Sequence, residues 1–415
     1  MQQNIKQHLH QPAQLEQLYR NSPNTFSAAF NELYPEVAGN PIADTWYHRL
    51  KYQATNSFDW GTGSEILLLL LLSAFSGCCW FLPVWFQLPE ESFIQHYLGF
   101  ILFLPIALYY FYKKQLDYSK LLFPVGLFLL VFCFVFFLPL PLNSATGQLR
   151  DLHIPFLLWS IAGYVFVRNQ LKETESSIQY LQHNGNWLIF SGLLGIAGGL
   201  FTALSILLFD MIGIQLSSIY EKYIFRWVIG AFPLFSCYVI LNNPSLVNRI
   251  SPIIARIFAP IVLITLFGFL VSLFLNPSSI FKSRELLIIF NFVLFAVMAI
   301  ILFSLTLRME NSINQSGKKI LALLALLTCI ANLLALSAIV YRLASYGFTP
   351  NRTAVLGANL LMFTHLSGIC YALFISVRRN TSLELVENRI ARWIPFYAAW
   401  VAIVVFLFPL IFSYV

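Results

Sequence analysis

Arg342 and Arg352 are the residues whose type and spacing point most directly to binding chemistry. They bracket the segment Arg342-Leu343-Ala344-Ser345-Tyr346-Gly347-Phe348-Thr349-Pro350-Asn351-Arg352, which joins two long apolar runs. Guanidinium groups hold carboxylates and phosphates through paired N–H donors. Tyr346, between the two arginines, joins them as a candidate ligand-binding residue. Much of the segment is turn chemistry. Gly347 suits the left-handed position that closes a helix. Thr349 suits an N-cap and Pro350 the first helical position, so a loop of about three residues is expected. Turn chemistry does not account for the arginines. Arg352 falls in the first turn of a helix, where the dipole disfavours a cation. Two compensations are open: a salt bridge to one of Glu90, Glu91, Asp151, Asp210, Glu221 or Glu285, or an anionic lipid or ligand held by both arginines.

His365 is the one ionisable residue placed deep within an apolar run, with Thr328, Asn332, Asn359 and Thr364 as its uncharged neighbours. An imidazole there can relay a proton or bind a metal. No second His, Cys or carboxylate stands at ligand spacing, which favours a neutral, hydrogen-bonded core histidine. Asn332 and Asn359 suit hydrogen bonds between helices, worth roughly 1 kcal/mol each. Acidic and basic residues are missing from the centres of the runs; Glu65, Asp210 and Arg256 fall near run ends, where snorkelling to the interface is cheap. No phosphate-cradling glycine loop, zinc-protease helix or nucleophile elbow occurs. The six cysteines, all within apolar runs and two of them adjacent (Cys78 and Cys79), suit small apolar filling. No catalytic residue, metal or cofactor is expected.

The elements that must position these residues belong to a membrane bundle. The chain of 415 residues is 58% hydrophobic and 10% charged, against about 25% charged in soluble domains. Its mean hydropathy is +0.72. About eleven apolar runs are each long enough to span a bilayer as a helix. Their approximate bounds are 64–82, 93–112, 121–140, 152–168, 187–209, 224–241, 253–275, 286–307, 320–345, 355–377 and 394–412. The N-terminal region and alternate loops hold 17 Lys and Arg against 7 in the opposite loops, with Arg256 completing the 25. By the positive-inside rule the N-terminus is expected in the cytoplasm and the C-terminus outside. The net charge of +7 is then topology, not a footprint for nucleic acid.

Residues 1–63 are polar, without an apolar core near Met1, so no cleavable signal is expected. They suggest a cytoplasmic cap of three amphipathic helices. Leu15, Leu18 and Tyr19 mark the first. Ser22-Pro23 starts the second, with Phe26, Phe30, Leu33 and Tyr34 on one face. Asn40-Pro41 starts the third, with Ile42, Trp46 and Leu50. The cap is read as a structural lid or a protein-binding module. In the fifth run Ser191, Gly195 and Gly199 recur four apart, a spacing that lets helix backbones approach within the chain or in a dimer. Pro105, Pro233 and Pro260 lie mid-run and can kink their helices.

The motif Arg342-x-x-x-Tyr346-Gly347-Phe348-Thr349-Pro350-Asn351-Arg352, followed by an apolar helix, resembles the signature hairpin of the bacterial domain-of-unknown-function 4153 family. The resemblance extends over roughly 220–412, including Arg389-Ile390-Ala391-Arg392-Trp393-Ile394-Pro395. It implies a multi-pass protein of the bacterial inner membrane and no particular reaction, ligand or catalytic residue. The expected architecture is therefore all-α, with a helical cap at 1–63 and a transmembrane bundle at 64–415. Three functions follow as expectations. The first is a non-enzymatic scaffold, sensor or assembly component. The second is a permease or a transporter of lipid or anion. The third is a membrane-embedded enzyme using His365.

Overall fold

Away from water, backbone N–H and C=O groups must find partners within their own segment, and long apolar runs therefore become helices. The computed structural model describes residues 1–21, 23–53, 59–138, 144–167, 174–210, 217–244, 246, 250–275, 284–306 and 315–412, with some side chains within these ranges left aside. Among them no strand occurs. The chain is an all-α helical membrane protein, and among the described residues 8 helices are long and apolar enough to cross a bilayer. It divides into two compact units, Met1–Trp60 and Gly61–Val415.

The first unit holds α1 (Gln2–Gln7), α2 (Pro12–Asn21), α3 (Pro23–Val37) and α4 (Pro41–Gln53). This is one helix more than the three expected: α1 contributes the fully buried Ile5 to a core with Leu15, Phe26, Phe30, Leu33, Trp46 and Leu50. Ser22, expected to cap α3, lies outside the described residues. At the start of α4 the Asn40 side chain accepts the Ile42 N–H at 2.9 Å, the local capping that makes Asn a helix starter. On the surface Glu16 pairs with Arg20 (2.8 Å) and Arg49 (2.8 Å), tying α2 to α4. These cations, Arg20 foremost, hold the Glu16 carboxyl below its ordinary value.

The second unit holds α5 (Gly63–Trp85), α6 (Glu90–Lys113), α7 (Leu122–Phe137), α8 (Ala145–Phe166), α9 (Thr174–Asp210), α10 (Phe225–Asn242), α11 (Ile250–Leu275), α12 (Arg284–Thr306), α13 (Gln315–Tyr346), α14 (Pro350–Arg379) and α15 (Glu384–Ala402). A π turn, Tyr220–Ile224, leads into α10, and a second, Ile403–Leu407, carries α15 on to Ile411. Two large cores fill most of this unit, and a smaller cluster joins Leu149, Ala354, Val404 and Phe408. Of the large cores, one is built on α5, α6, α7, α8 and α10; the other on α11, α12, α13 and α14 with Val386 and Ile390 of α15. Helix starts differ from the apolar runs where polar residues continue a helix. α8 begins at Ala145 rather than 152, so Arg150 and Asp151 are helical residues and not loop residues. α9 begins at Thr174 rather than 187, adding a polar stretch that ends at Asn186.

Close helix contacts depend on single glycines opposite bulky rings. α5 and α10 cross where a Cβ on Gly77 would fall inside the Trp227 ring and one on Gly230 would stand 2.9 Å from Trp80. The Ser191–Gly195–Gly199 stripe behaves differently. A Cβ at Gly195 would meet Phe232 at 3.8 Å, while Gly192 and Gly199 have open space beside them.

Candidate functional site

The hairpin between α13 and α14 turns in three residues because each end is capped locally. Gly347 takes φ +75, a conformation that costs other residues energy, and its N–H returns to the Leu343 carbonyl at 2.9 Å. Thr349 is extended and its hydroxyl accepts the Arg352 N–H, with Pro350 opening α14. The Arg352 side chain then reaches back. Its Nη1 donates to the carbonyls of Tyr346 and Gly347, both at 2.8 Å.

Two carbonyls compensate the Arg352 guanidinium among the described residues. Arg352 opens one helix but sits on the carbonyl end of the preceding one, where a cation is favourable. Among the described residues neither hairpin arginine forms an ion pair. Of the acids named as partners, Glu90 is bonded to Arg226 at 2.8 Å and Asp151 to Arg150 at 2.9 Å. The carboxylate of Glu91 accepts from Gln95. The side chains of Asp210, Glu221 and Glu285 lie outside the description. The Tyr346 ring lies between the two guanidiniums, 5.5 Å from that of Arg352 and 6.0 Å from that of Arg342. The hairpin thus brings Arg342, Tyr346 and Arg352 together, with Arg352 committed to carbonyls and Arg342, among the described residues, engaged through the ring. Its tip is apolar and exposed at Phe348.

The other candidate residues do not join this cluster or one another. His365 is buried between α14 and α15. Its ring stacks on Trp393 (5.4 Å), and Nδ1 lies 3.0 Å from the Tyr397 hydroxyl. Nε2 has no hydrogen-bond partner among the described residues. Asn359 faces α12 instead, where its amide donates to Asn291 Oδ1 at 2.7 Å. Asn332 is buried on α13 with Oδ1 unpartnered among the described residues. The hydroxyls of Thr328 and Thr364 turn back onto carbonyls of their own helices. Among the described residues none of these polar side chains is hydrogen-bonded to His365, and Trp393 and Tyr397 flank the imidazole.

The charged residues of the first core were missed as a set. Glu65 is 4% exposed, not snorkelling. Its carboxylate accepts from Tyr109 (2.7 Å), Lys113 (2.8 Å) and Asn242 (3.1 Å), joining the ends of α5, α6 and α10. Lys113 also donates to the Asn242 side chain. Toward the opposite end of α6, Arg150 is 0% exposed. It donates to Asp151 at 2.9 Å and to the Leu138 carbonyl at 2.7 Å. His96 Nδ1 lies 2.8 Å from the Ser92 carbonyl, which makes it the protonated nitrogen, and 3.5 Å from Asp151 Oδ2. A third group sets His183 Nε2 at 2.9 Å from the Tyr110 hydroxyl and 3.5 Å from Cys237 Sγ. The available signal was the adjacent Arg150-Asp151 pair and the polar run before 187, both of which read as loop because helix bounds were drawn from hydropathy.

Chemically, the buried charges are committed to one another, whereas Arg342 keeps donors that an anion could use. Compared with protein-family models, with curated proteins and with solved structures, the chain has no match in any of the three.

Proposed function

We propose that the protein is a non-enzymatic component of the bacterial inner membrane, a scaffold or assembly partner that presents its N-terminal helical unit to the cytoplasm. The observation that carries this reading is the self-contained core of Met1–Trp60, closed around Phe26, Phe30 and Trp46. A unit with its own core is a module that a partner can recognise. The charge bias of the loops supports an N-terminus inside and a C-terminus outside, and the hairpin motif supports kinship with the domain-of-unknown-function 4153 family. No catalytic residue belongs to this reading. Purification from native membranes tests it. A stoichiometric partner is expected with the full chain and lost from a chain lacking residues 1–60. A clean monomer in both, with a melting temperature raised by a small molecule, counts against it. Labelling of Asn351→Cys from outside and Ser316→Cys from inside checks the orientation.

Arg342 favours a second reading, an anion- or lipid-handling role at the outer hairpin. Arg342→Ala would then lower retention of anionic lipid, whereas Arg352→Ala would chiefly loosen the hairpin, because its donors are occupied by carbonyls.

A further inference from the structure

We propose a second anion site, distinct from the hairpin: a groove between α5 and the start of α10 that seats the phosphate of an anionic phospholipid on Lys222, with the lipid's apolar part along an aromatic ladder. The groove encloses about 420 Å³ and is lined by Phe81, Trp85, Lys222, Tyr223, Arg226 and Trp227, with Val84 completing the wall.

The ladder is built by backbone contact. Gly77 leaves room for the Trp227 ring to lie flush on α5. Trp227 then meets Phe81 with centroids 5.7 Å apart, and Phe81 stacks on Trp85 at 5.8 Å. Trp85 and Tyr223 are each 58% exposed. Large amphipathic rings left open at a helix end are typical of the headgroup level of a membrane.

The polar end is cationic for a structural reason. Lys222 and Arg226 lie four residues apart and so share a face of the helix. The π turn Tyr220–Ile224 holds Lys222 and Tyr223, and such turns are frequent at functional sites. Helical backbone runs unbroken from Ser217 through this π turn into α10, so both cations project from one continuous helix. Arg226 is neutralised there by Glu90, which it meets at 2.8 and 3.1 Å. Lys222 is exposed and has no ion pair or hydrogen bond among the described residues. An anion would settle the ammonium. A free phosphate would satisfy Lys222 but leave the ladder uncovered. A phospholipid satisfies both, which is why the lipid is favoured.

The experiment is native mass spectrometry of the full chain in mild detergent, titrated with phosphatidylglycerol and with phosphatidylcholine. Wild type should retain phosphatidylglycerol preferentially. Lys222→Ala should weaken that retention about fivefold, the size expected for one cation at an anionic lipid surface, and Lys222→Arg should restore it. Trp85→Ala should weaken both lipids alike. Because Lys222 is exposed, these variants should melt like wild type. The Lys222-dependent part should persist in Arg342→Ala, which separates this site from the hairpin. Equal retention by wild type and Lys222→Ala would overturn the proposal. So would displacement of phosphatidylglycerol by millimolar inorganic phosphate, which would assign the groove to the free ion.

Discussion

Between α5 and α10 the bundle buries full charges; between α12 and α15 its interhelical side-chain contacts are mostly neutral, through amides, an imidazole and the Cys329–Ser367 pair. In the first region Glu65 faces Lys113, and Arg150 faces Asp151, each pair reinforced by neutral donors or acceptors. In the second, Asn359 meets Asn291 and His365 meets Tyr397. A buried Lys of that region, Lys318, sits at the start of α13 and donates to the Thr381 carbonyl at 2.7 Å. The contrast concerns what happens when a partner is lost. A buried ion pair adds little net stability over apolar packing, yet removing one member strands a charge. Neutral pairs between membrane helices contribute little and lose little. The charged half is therefore brittle toward single substitutions, and the neutral half tolerant.

That difference can be broken most directly at Asp151. Asp151→Leu leaves the fully buried Arg150 unpaired and should cost about 3–5 kcal/mol, read as a large fall in melting temperature or failure to accumulate. Adding Arg150→Met should recover most of the loss; no recovery would mean that the pair does not act as a unit. Glu65→Gln comes next. It removes the charge that Lys113 faces but keeps an acceptor for Tyr109. Lys113 is 30% exposed and can turn to water. A loss of about 1–3 kcal/mol is expected, smaller than at Asp151 in the same melting assay. In the neutral half Asn359→Leu should cost only about 0.5–1 kcal/mol. A loss as large as that at Asp151 would erase the distinction.

The smallest effect belongs to an exposed counterpart, Glu16 with Arg20 and Arg49. Because these arginines depress the folded Glu16 value, the contribution is present above the ordinary unfolded carboxylate range. It disappears as pH falls through the lower folded value. Hydrogen exchange in α2 and α4 should quicken modestly below about pH 4 and should not quicken in Glu16→Gln. The pair is largely solvent-screened, so the global melting point should hardly move.

The hairpin was legible almost entirely, since Gly347, Thr349 and Pro350 act on their own backbone. The role of Arg352 was not. Its place in the sequence set it at a helix N-terminus, and only the antiparallel return of α14 put it on the carbonyl end of α13. The same limit applied to His365. Its depth followed from hydropathy, but its partners Trp393 and Tyr397 lie on another helix. Small-residue spacing drew attention to Ser191, Gly195 and Gly199, whereas Gly77 and Gly230 carry the tight crossing of α5 and α10 without any repeat to announce them.

Taken alone, the sequence determined a helical membrane protein, the approximate spans of its helices and the caps of its turns. These properties are local: apolar length and capping chemistry accumulate along the chain whatever else is nearby. Tertiary structure decided which polar groups share a site. Glu65 meets Asn242 across 177 positions, and such meetings depend on which helices are neighbours and on how each is rotated about its axis. A helix turns about 100° per residue, so a shift of one residue carries a side chain from a partner into lipid.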